Sequence, residues 1–550
     1  MTKDSTHNGG SFLLATPRAA LSPETFSEQQ RLIAQTAETF AQEEIFPASE
    51  AIERQDFEAT RALLRQAGRL GLTGVDIPEA YGGLGLDLSA SAIVADHLAV
   101  QGSFSVSFGA HVGIGTLPLV FFGSNEQKLK YLPRLAAAEW IGAYALSEAG
   151  SGSDALAMRT EAALAPDGGG FVVNGEKMWT SNAGFADLFT VFATVGGRVT
   201  AFLMEAGTAG LTTGPEEHKM GIHGSSTRSL LLRDVWVPRG NLLGEIGNGA
   251  HIAFQILNIG RFKLGAACVG GARNLLRHAV GYARQRHAFG QPIASFGLIQ
   301  QFVADMAMGI FSAESAVYRT AGLLAEEADL NEFAVECSMV KVQASEMLDA
   351  VADQAVQIYG GNGFVGGNVA ERAYRDARVN RIFEGTNEIN RLLISGMLLR
   401  RAEKGELTLQ SAAEQVFTEL LAPPTEEVLC ERARKIALLI AATAYRRYRE
   451  AVAQQQEILA MMADLLMGVY AMQSVAARQP DSALTQAVLA VQMDAVETTA
   501  RRALVAMSGG DELRTQMTWL RRLAKREPVN LVALRRQIAE RVLEAHGYPA

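Results

Sequence analysis

Apolar residues recur at three- and four-residue spacing from about Pro23 to Arg69, and the stretch FSEQQRLIAQTAETFAQEEIFP closes that pattern on a proline, which predicts helices. The turn-forming text GLTGVDIPEAYGG interrupts the pattern, and helical spacing resumes through Leu132. Near Trp140 the period shortens. EAALA, FVVNG, LFTVFATV, VTAFLME and SLLLRDVWV have the composition of short strands, separated by Pro-Asp-Gly-Gly-Gly, Asn-Gly and Gly-Gly turns. Helical spacing returns after Leu242, where Ala344, Leu348, Val351, Ala355 and Ile358 share one helix face. RAEKGELTLQ has few large apolar residues and Pro423-Pro424 punctuates the chain. The remainder predicts at least three more helices rich in Ala, Leu, Gln and Arg.

The expected organisation is a flexible N-terminus over 1–21, an N-terminal helical domain over 22–137 and a middle antiparallel β domain over 138–243. A helical bundle over 244–402, a linker over 403–424 and a C-terminal helical domain over 425–550 follow, giving an α+β chain overall. The stretch AYRRYREAVAQQQEILAMMADLLMGVYAM (444–472) predicts one amphipathic helix. Packing on other helices is favoured over a membrane surface, because its cationic character is not sustained. No uninterrupted apolar run approaches the roughly 18–20 residues of a spanning helix. The patch Phe12 to Ala15 is too short for the apolar region of a signal peptide. The expectation is a cytoplasmic protein, with peripheral contact at the inner face of the membrane as the alternative.

With 48% hydrophobic and 20% charged residues, the chain is too apolar to be disordered and long enough to bury a large internal site. A formal charge of −9 with no basic run argues against a nucleic-acid partner. Cys268, Cys337 and Cys430 are too scattered for a disulfide framework, which favours a reducing compartment. The dispersed histidines argue against a metal.

Several stretches hold residues capable of chemistry, and each alone has an ordinary explanation. SEAGSGSD fits a surface turn, Trp179 in MWTSN a sheet-core aromatic, and the arginines of YARQRHAFGQPI a solvated helix face. Glu384 in RIFEGTNEIN fits an acid at a helix N-terminus. No glycine group is a G-x-G-x-x-G fingerprint that follows a strand and opens a helix, nor a G-x-x-x-x-G-K-[ST] loop, which argues against NAD as the direct acceptor.

Taken in order, five blocks point elsewhere. GLTGVDIPEAYGGLG (71–85), FGSNEQKLKYLPRLAAAEWIGAYALSEAGSGSD (122–154), GEKMWTSNAGFAD (175–187), YARQRHAFGQPI (282–293), and QIYGGNGFVGG (357–367) with RIFEGTNEIN resemble the acyl-CoA dehydrogenase family of flavoenzymes over roughly residues 22–400. The resemblance implies that family's fold, FAD as cofactor and an acyl-CoA substrate. It implies that Tyr144, Leu146 and Ser147 line the flavin, that Ser153 touches cofactor or acyl-CoA, that Trp179 lies beside the isoalloxazine and that Ser181 offers its hydroxyl to flavin N5. It further assigns Arg286 to the FAD pyrophosphate, a bidentate match for a guanidinium, and Phe289 to the adenine side. Gln357, Gly360 and Gly361 would admit the dinucleotide of a neighbouring subunit, which implies a homo-oligomer.

Glu384 then corresponds to the general base that takes the α-proton of the acyl-CoA while flavin N5 accepts a hydride from the β-carbon. Its backbone N–H and a flavin ribityl hydroxyl would hold the thioester oxygen. Ile382 and Phe383 supply apolar neighbours, and Gly385 lets the chain turn closely past substrate. Some relatives carry the base on another helix immediately before an arginine; here ILNIGRFKLG places Gly260 at that position, which favours Glu384. Arg261 resembles an arginine that supports base and substrate, and Thr386 and Glu388 resemble FAD contacts. Ala149, His223 and Gly297 depart from the family pattern at peripheral positions.

Ordinary members end soon after RLLISG, whereas this chain runs on to residue 550, which resembles the very-long-chain branch and a related branch that assists respiratory-complex assembly. That implies a long acyl chain, a homodimer and electron-transfer flavoprotein as acceptor. An acyl-CoA oxidase that uses oxygen, and a scaffold or assembly factor that retains the fold, are the alternatives.

Overall fold

Ser27 starts the first long helix, Glu28–Phe40, through a capping box: its hydroxyl accepts the Gln30 N–H at 3.2 Å while the Gln30 side chain accepts the Ser27 N–H at 2.9 Å. Side chains of Asp56, Asp87 and Gln101 cap Phe57–Arg69, Leu88–His97 and Gly102–Gly109 in the same sense. These helices bury Phe40, Ile45, Leu64 and Phe104 in one core with Ile141. The computed structural model describes residues 8–549 except 18, 328, 423–426 and 479–481. The expected proline break at Pro423-Pro424 lies outside the described residues.

Eight strands follow: β1 Gly142–Ala145, β2 Glu161–Leu164, β3 Gly170–Ser181, β4 Leu188–Val195, β5 Arg198–Glu205, β6 Leu211–Glu216, β7 Thr227–Pro238 and β8 Leu242–Leu243. They form one sheet in the order β6-β7-β3-β2-β4-β5-β8, with β1 also on β4. Phe171, Val173, Phe189, Val191 and Phe202 build its core. The sheet is not wholly antiparallel, because β1 and β2 both pair parallel to β4. Alternation of apolar residues does not encode strand direction. The continuous burial of β4 from Leu188 to Ala193 does fit a strand covered on both faces. LTTGPE in β6 is a strand that its Gly-Pro pair concealed.

The chain divides into two compact units, Ser27–Gly271 with Arg375–Glu384, and Met1–Phe26 with Ala272–Tyr374 and Gly385–Ala550. The second is helical, built on Gly297–Ala325, Ala334–Tyr359, Asn387–Glu403 and the C-terminal helices. Ala344, Leu348, Val351, Ala355 and Ile358 are all buried, as their spacing predicts.

Four expectations change. Residues 8–14 are not a flexible lead: Phe12 and Leu13 are buried, and the Gly10 N–H donates to Glu336 Oε1 at 2.7 Å. The expected linker over 403–424 is largely the helix Leu409–Leu421, held by buried Ala413, Val416 and Leu420. The predicted single helix over 444–472 is two, Leu429–Tyr448 and Gln456–Arg478, separated where Arg449 takes φ 50°. Finally, Gly102–Phe122, Gly249–Gln285 and Gln456–Arg478 are long and apolar enough to cross a membrane by length and composition, although 72%, 67% and 83% of their apolar windows are buried inside the protein. Scattered Ser, His and Asn break these runs in the letters without lowering their mean hydropathy enough to exclude them.

Candidate active site

Glu384 precedes the helix Asn387–Glu403, whose N-cap is Thr386: the Thr386 hydroxyl accepts the Ile389 N–H at 3.3 Å. The acid of the first turn is Glu388, so Glu384 is not that helix's terminal charge. Glu384 (φ 57°) and Gly385 (φ 78°) are both left-handed. Glycine takes this conformation freely, whereas a side chain there costs about 1–2 kcal/mol and persists only where surroundings impose it. Buried Arg261 imposes it: its Nε donates to the Glu384 carbonyl at 3.1 Å, and its Nη1 donates to Asn258 Oδ1 at 2.9 Å.

A Cβ on Gly260 would meet Glu384 Oε2 at 2.8 Å and Cδ at 3.0 Å. The carboxylate therefore fills the space in front of residue 260. A side chain at 260 would have to displace the Glu384 carboxylate from this place. Tyr144 on β1 belongs to the same environment. Burial first, and then the charge of Glu384, push its phenol well above its ordinary pKa, with Arg261 opposing.

The sheet also presents buried polar atoms that no protein group satisfies: Tyr144 Oη, its cross-strand neighbour Thr190 Oγ1, Thr180 Oγ1 and Asn182 Oδ1. Such atoms are rare in folded proteins and mark places where a ligand or water completes the bonding. Trp179 sits at a register shift in β3 with φ 54°, which turns its indole outward to 56% exposure; it is not a core aromatic. The Ser147 carbonyl accepts the Met178 N–H at 2.9 Å, tying the SEAGSGSD turn to β3 beside Trp179. Leu146 is buried, Ser181 is half-buried and Ser153 is exposed.

Two charges that the sequence reading passed over hold that turn. Lys177 Nζ, fully buried, donates to Glu148 Oε1 at 2.7 Å and to the Leu146 carbonyl at 3.2 Å. Glu148 also accepts from the Arg159 N–H at 2.6 Å and from the Thr160 N–H and hydroxyl at 3.0 and 2.6 Å. Burial works to raise the Glu148 carboxyl, but Lys177, Thr160 and Arg159 outweigh it and hold it below its ordinary value. The available signal was an isolated Lys at an inward strand position.

In the helical unit, Arg286 is exposed after the end of Gly249–Gln285. Phe289, 95% exposed with φ 52°, forms the turn of a short hairpin, His287–Ala288 with Gln291–Pro292. Gln357, Gly360 and Gly361 are exposed, and a Cβ at either glycine would meet nothing within 4 Å, so internal packing does not demand glycine there. Thr386 is committed to its cap, and Glu388 is exposed. Buried Lys341, also missed, donates to the Gly385 carbonyl at 2.9 Å and to Asn387 Oδ1 at 2.7 Å. It stands alone in the apolar run CSMVKV, which was the clue.

The sequence matches the acyl-CoA dehydrogenase N-terminal domain over residues 27–139, the middle domain over 143–235 and the C-terminal domain over 247–399, with a further acyl-CoA dehydrogenase C-terminal domain over 432–522. The chain belongs to the acyl-CoA dehydrogenase family. It is 44% identical to a "Probable acyl-CoA dehydrogenase" of Bacillus subtilis (strain 168) across 98% of both chains. It is 40% identical to human very long-chain specific acyl-CoA dehydrogenase, over 59% of this chain and 51% of that one. A crystal structure of acyl-CoA dehydrogenase complexed with FAD from Bacillus anthracis superposes with TM-score 0.96 at 44% identity, covering 99% of this chain and 100% of that one. As an acyl-CoA dehydrogenase family member the protein is an oxidoreductase, and FAD is the cofactor of the family. The unsatisfied polar atoms on the sheet and the outward Trp179 fit such a group: it has both hydrogen-bonding edges and a flat aromatic face.

Proposed function

We propose that the protein oxidises an acyl-CoA between its α and β carbons, with Glu384 as the base that takes the α-proton. The observation that carries this reading is the Glu384 carboxylate in front of Gly260, on a left-handed turn fixed by Arg261. Bound FAD supplies the two-electron oxidant that accepts hydride from the β-carbon. Arg261 fixes the carbonyl of Glu384 and so the direction of its carboxylate, which is what a proton transfer at hydrogen-bond range requires. The Glu384 N–H is the donor offered to the thioester oxygen, where negative charge develops as the proton leaves. Tyr144, Ser147, Trp179 and Ser181 are assigned to the flavin face, Ser153 to substrate or cofactor, and Arg286, Phe289, Gln357, Gly360 and Gly361 to the dinucleotide end. Thr386 and Glu388 are kept as cofactor contacts through backbone or exposed atoms, because the Thr386 hydroxyl already caps a helix.

A cytoplasmic location is part of the proposal and is supported by the scattered, buried cysteines. The same reading includes a long acyl chain, a homodimer and transfer of electrons to electron-transfer flavoprotein. Its support is the likeness to the very long-chain specific enzymes and the helical segment beyond residue 403. The test is anaerobic bleaching of the flavin by acyl-CoAs from short to very long, with Glu384→Gln alongside. Bleaching strongest with long chains is expected, and a fall of about 10³-fold in the variant. No bleaching by any acyl-CoA would reject the dehydrogenase reading, and a fully active variant would reject the base alone. Rapid reoxidation in air without the flavoprotein would favour the oxidase.

A further inference from the structure

Glu384 is followed by a glycine, which leaves the backbone after it more conformational freedom than any other residue would. That freedom is removed at the Gly385 carbonyl. It accepts Lys341 Nζ at 2.9 Å and Asn390 Nδ2 at 2.8 Å, and the same Asn390 Nδ2 reaches the Thr386 carbonyl at 3.0 Å. Lys341 and Asn390 are both wholly buried.

Lys341 belongs to the helix Ala334–Tyr359, and its second bond, to Asn387 Oδ1 at 2.7 Å, fixes its aim. The Asn387 amide is held in that sense from its other end: its Nδ2 donates at 3.0 Å to Glu346 Oε1, a carboxylate oxygen that accepts. Arg391 in turn holds Glu346 through two bonds, at 2.7 and 2.9 Å. Burying a lysine has a desolvation cost, and Asn390 already gives the Gly385 carbonyl a neutral donor, so satisfying that oxygen does not call for an ammonium. What the ammonium adds is a charge-assisted bond, roughly twice as strong as a neutral one. It acts on a turn whose φ angles of 57° at Glu384 and 78° at Gly385 set the direction of the carboxylate.

We infer that Lys341 is a positioning residue for the base. Through the Gly385 carbonyl it locks the turn that follows Glu384, so that the carboxylate and the Glu384 N–H keep their direction while the α-proton leaves. Arg261 performs the same service at the preceding carbonyl, that of Glu384 itself. The inference rests on the reading of Glu384 as the base.

The test is stopped-flow bleaching of the FAD-loaded full-length protein by butyryl-, octanoyl- and palmitoyl-CoA. It compares Lys341→Met, which keeps the reach of the side chain without its donors, with Lys341→Gln, which keeps a donor without the charge. With the acyl-CoA that bleaches the parent protein fastest, the limiting rate should fall about 10²-fold in Lys341→Met, the loss that a misplacement of about 1 Å causes. Lys341→Gln should recover at least roughly tenfold of that loss. The acyl-CoA concentration giving half-maximal rate, the FAD content and reduction by dithionite, which uses no base, should all be unchanged. A parent limiting rate in Lys341→Met, or a rate lost only through weaker acyl-CoA binding, would overturn the inference. So would loss of FAD from both variants, which would assign Lys341 to the fold alone. Glu384→Gln, run alongside, separates the two failures: full activity there rejects the base and the inference with it, whereas an inactive Glu384→Gln beside an unaffected Lys341→Met rejects the inference only.

Discussion

In the sheet, one buried lysine meets one carboxylate: Lys177 and Glu148, joined at 2.7 Å, with the other hydrogen bonds to that carboxylate coming from Arg159 and Thr160 nearby in sequence. Among the helices, Glu314 takes Arg478 at 2.7 Å, Arg273 at 2.9 Å and the Tyr548 hydroxyl at 3.1 Å, while Arg478 also pairs with Glu24 at 2.8 Å. The first system closes a loop that carries candidate flavin contacts. The second gathers segments from both ends of the chain around one acid and touches none of the proposed site residues. Burial of a charge pair is costly in either case, and removing one partner costs more because the other is stranded. The sheet pair should therefore report on both stability and cofactor, and the helical network on stability alone.

The largest effect is expected from Lys177→Met, which strands Glu148: a loss of about 3–5 kcal/mol in denaturant unfolding, accompanied by weaker FAD retention. Adding Glu148→Gln should restore much of the stability. Wild-type flavin affinity in the single variant would break the contrast.

Acid should act next. His111 is wholly buried, its Nε2 facing the Leu135 carbonyl at 3.1 Å and its Nδ1 accepting the Gly142 N–H at 3.1 Å, and burial lowers its pKa from 6.5 to about 4. The unfolded chain binds the proton more readily, so this stabilisation is complete above pH 6.5 and is lost as pH falls towards 4, up to about 3 kcal/mol. Unfolding measured across that window should flatten in His111→Gln; an unchanged pH slope would count against it.

Glu314→Gln should cost about 2–3 kcal/mol, since Arg478 retains Glu24, with FAD content and turnover unaffected. A loss of flavin in this variant would erase the distinction between the two systems. The smallest effect is Tyr548→Phe, which removes one hydrogen bond and should lower stability by about 1 kcal/mol in the same unfolding assay.

Periodicity and turn chemistry are local properties of the chain, which is why the helical, strand and helical order, the buried face of Ala344 to Ile358 and the five ordered blocks could be read directly. The same locality explains the failures. Gly-Pro hid β6, and a sparse apolar pattern hid Leu409–Leu421 because its few inward residues suffice once other helices cover them. Glu384 was legible as a candidate from its neighbours and from Gly260. What the letters could not contain is that the two positions meet, with the Glu384 carboxylate 2.8 Å from where a residue-260 Cβ would be. Nor could they contain the pairing of Lys177 with Glu148, of Lys341 with the turn after Glu384, or of residues 24, 273, 478 and 548 around the Glu314 carboxylate. Sequence determined which residues were capable of the chemistry. Tertiary structure alone decided which of them share a low-dielectric environment, because charge, strain and burial act through space and not along the chain.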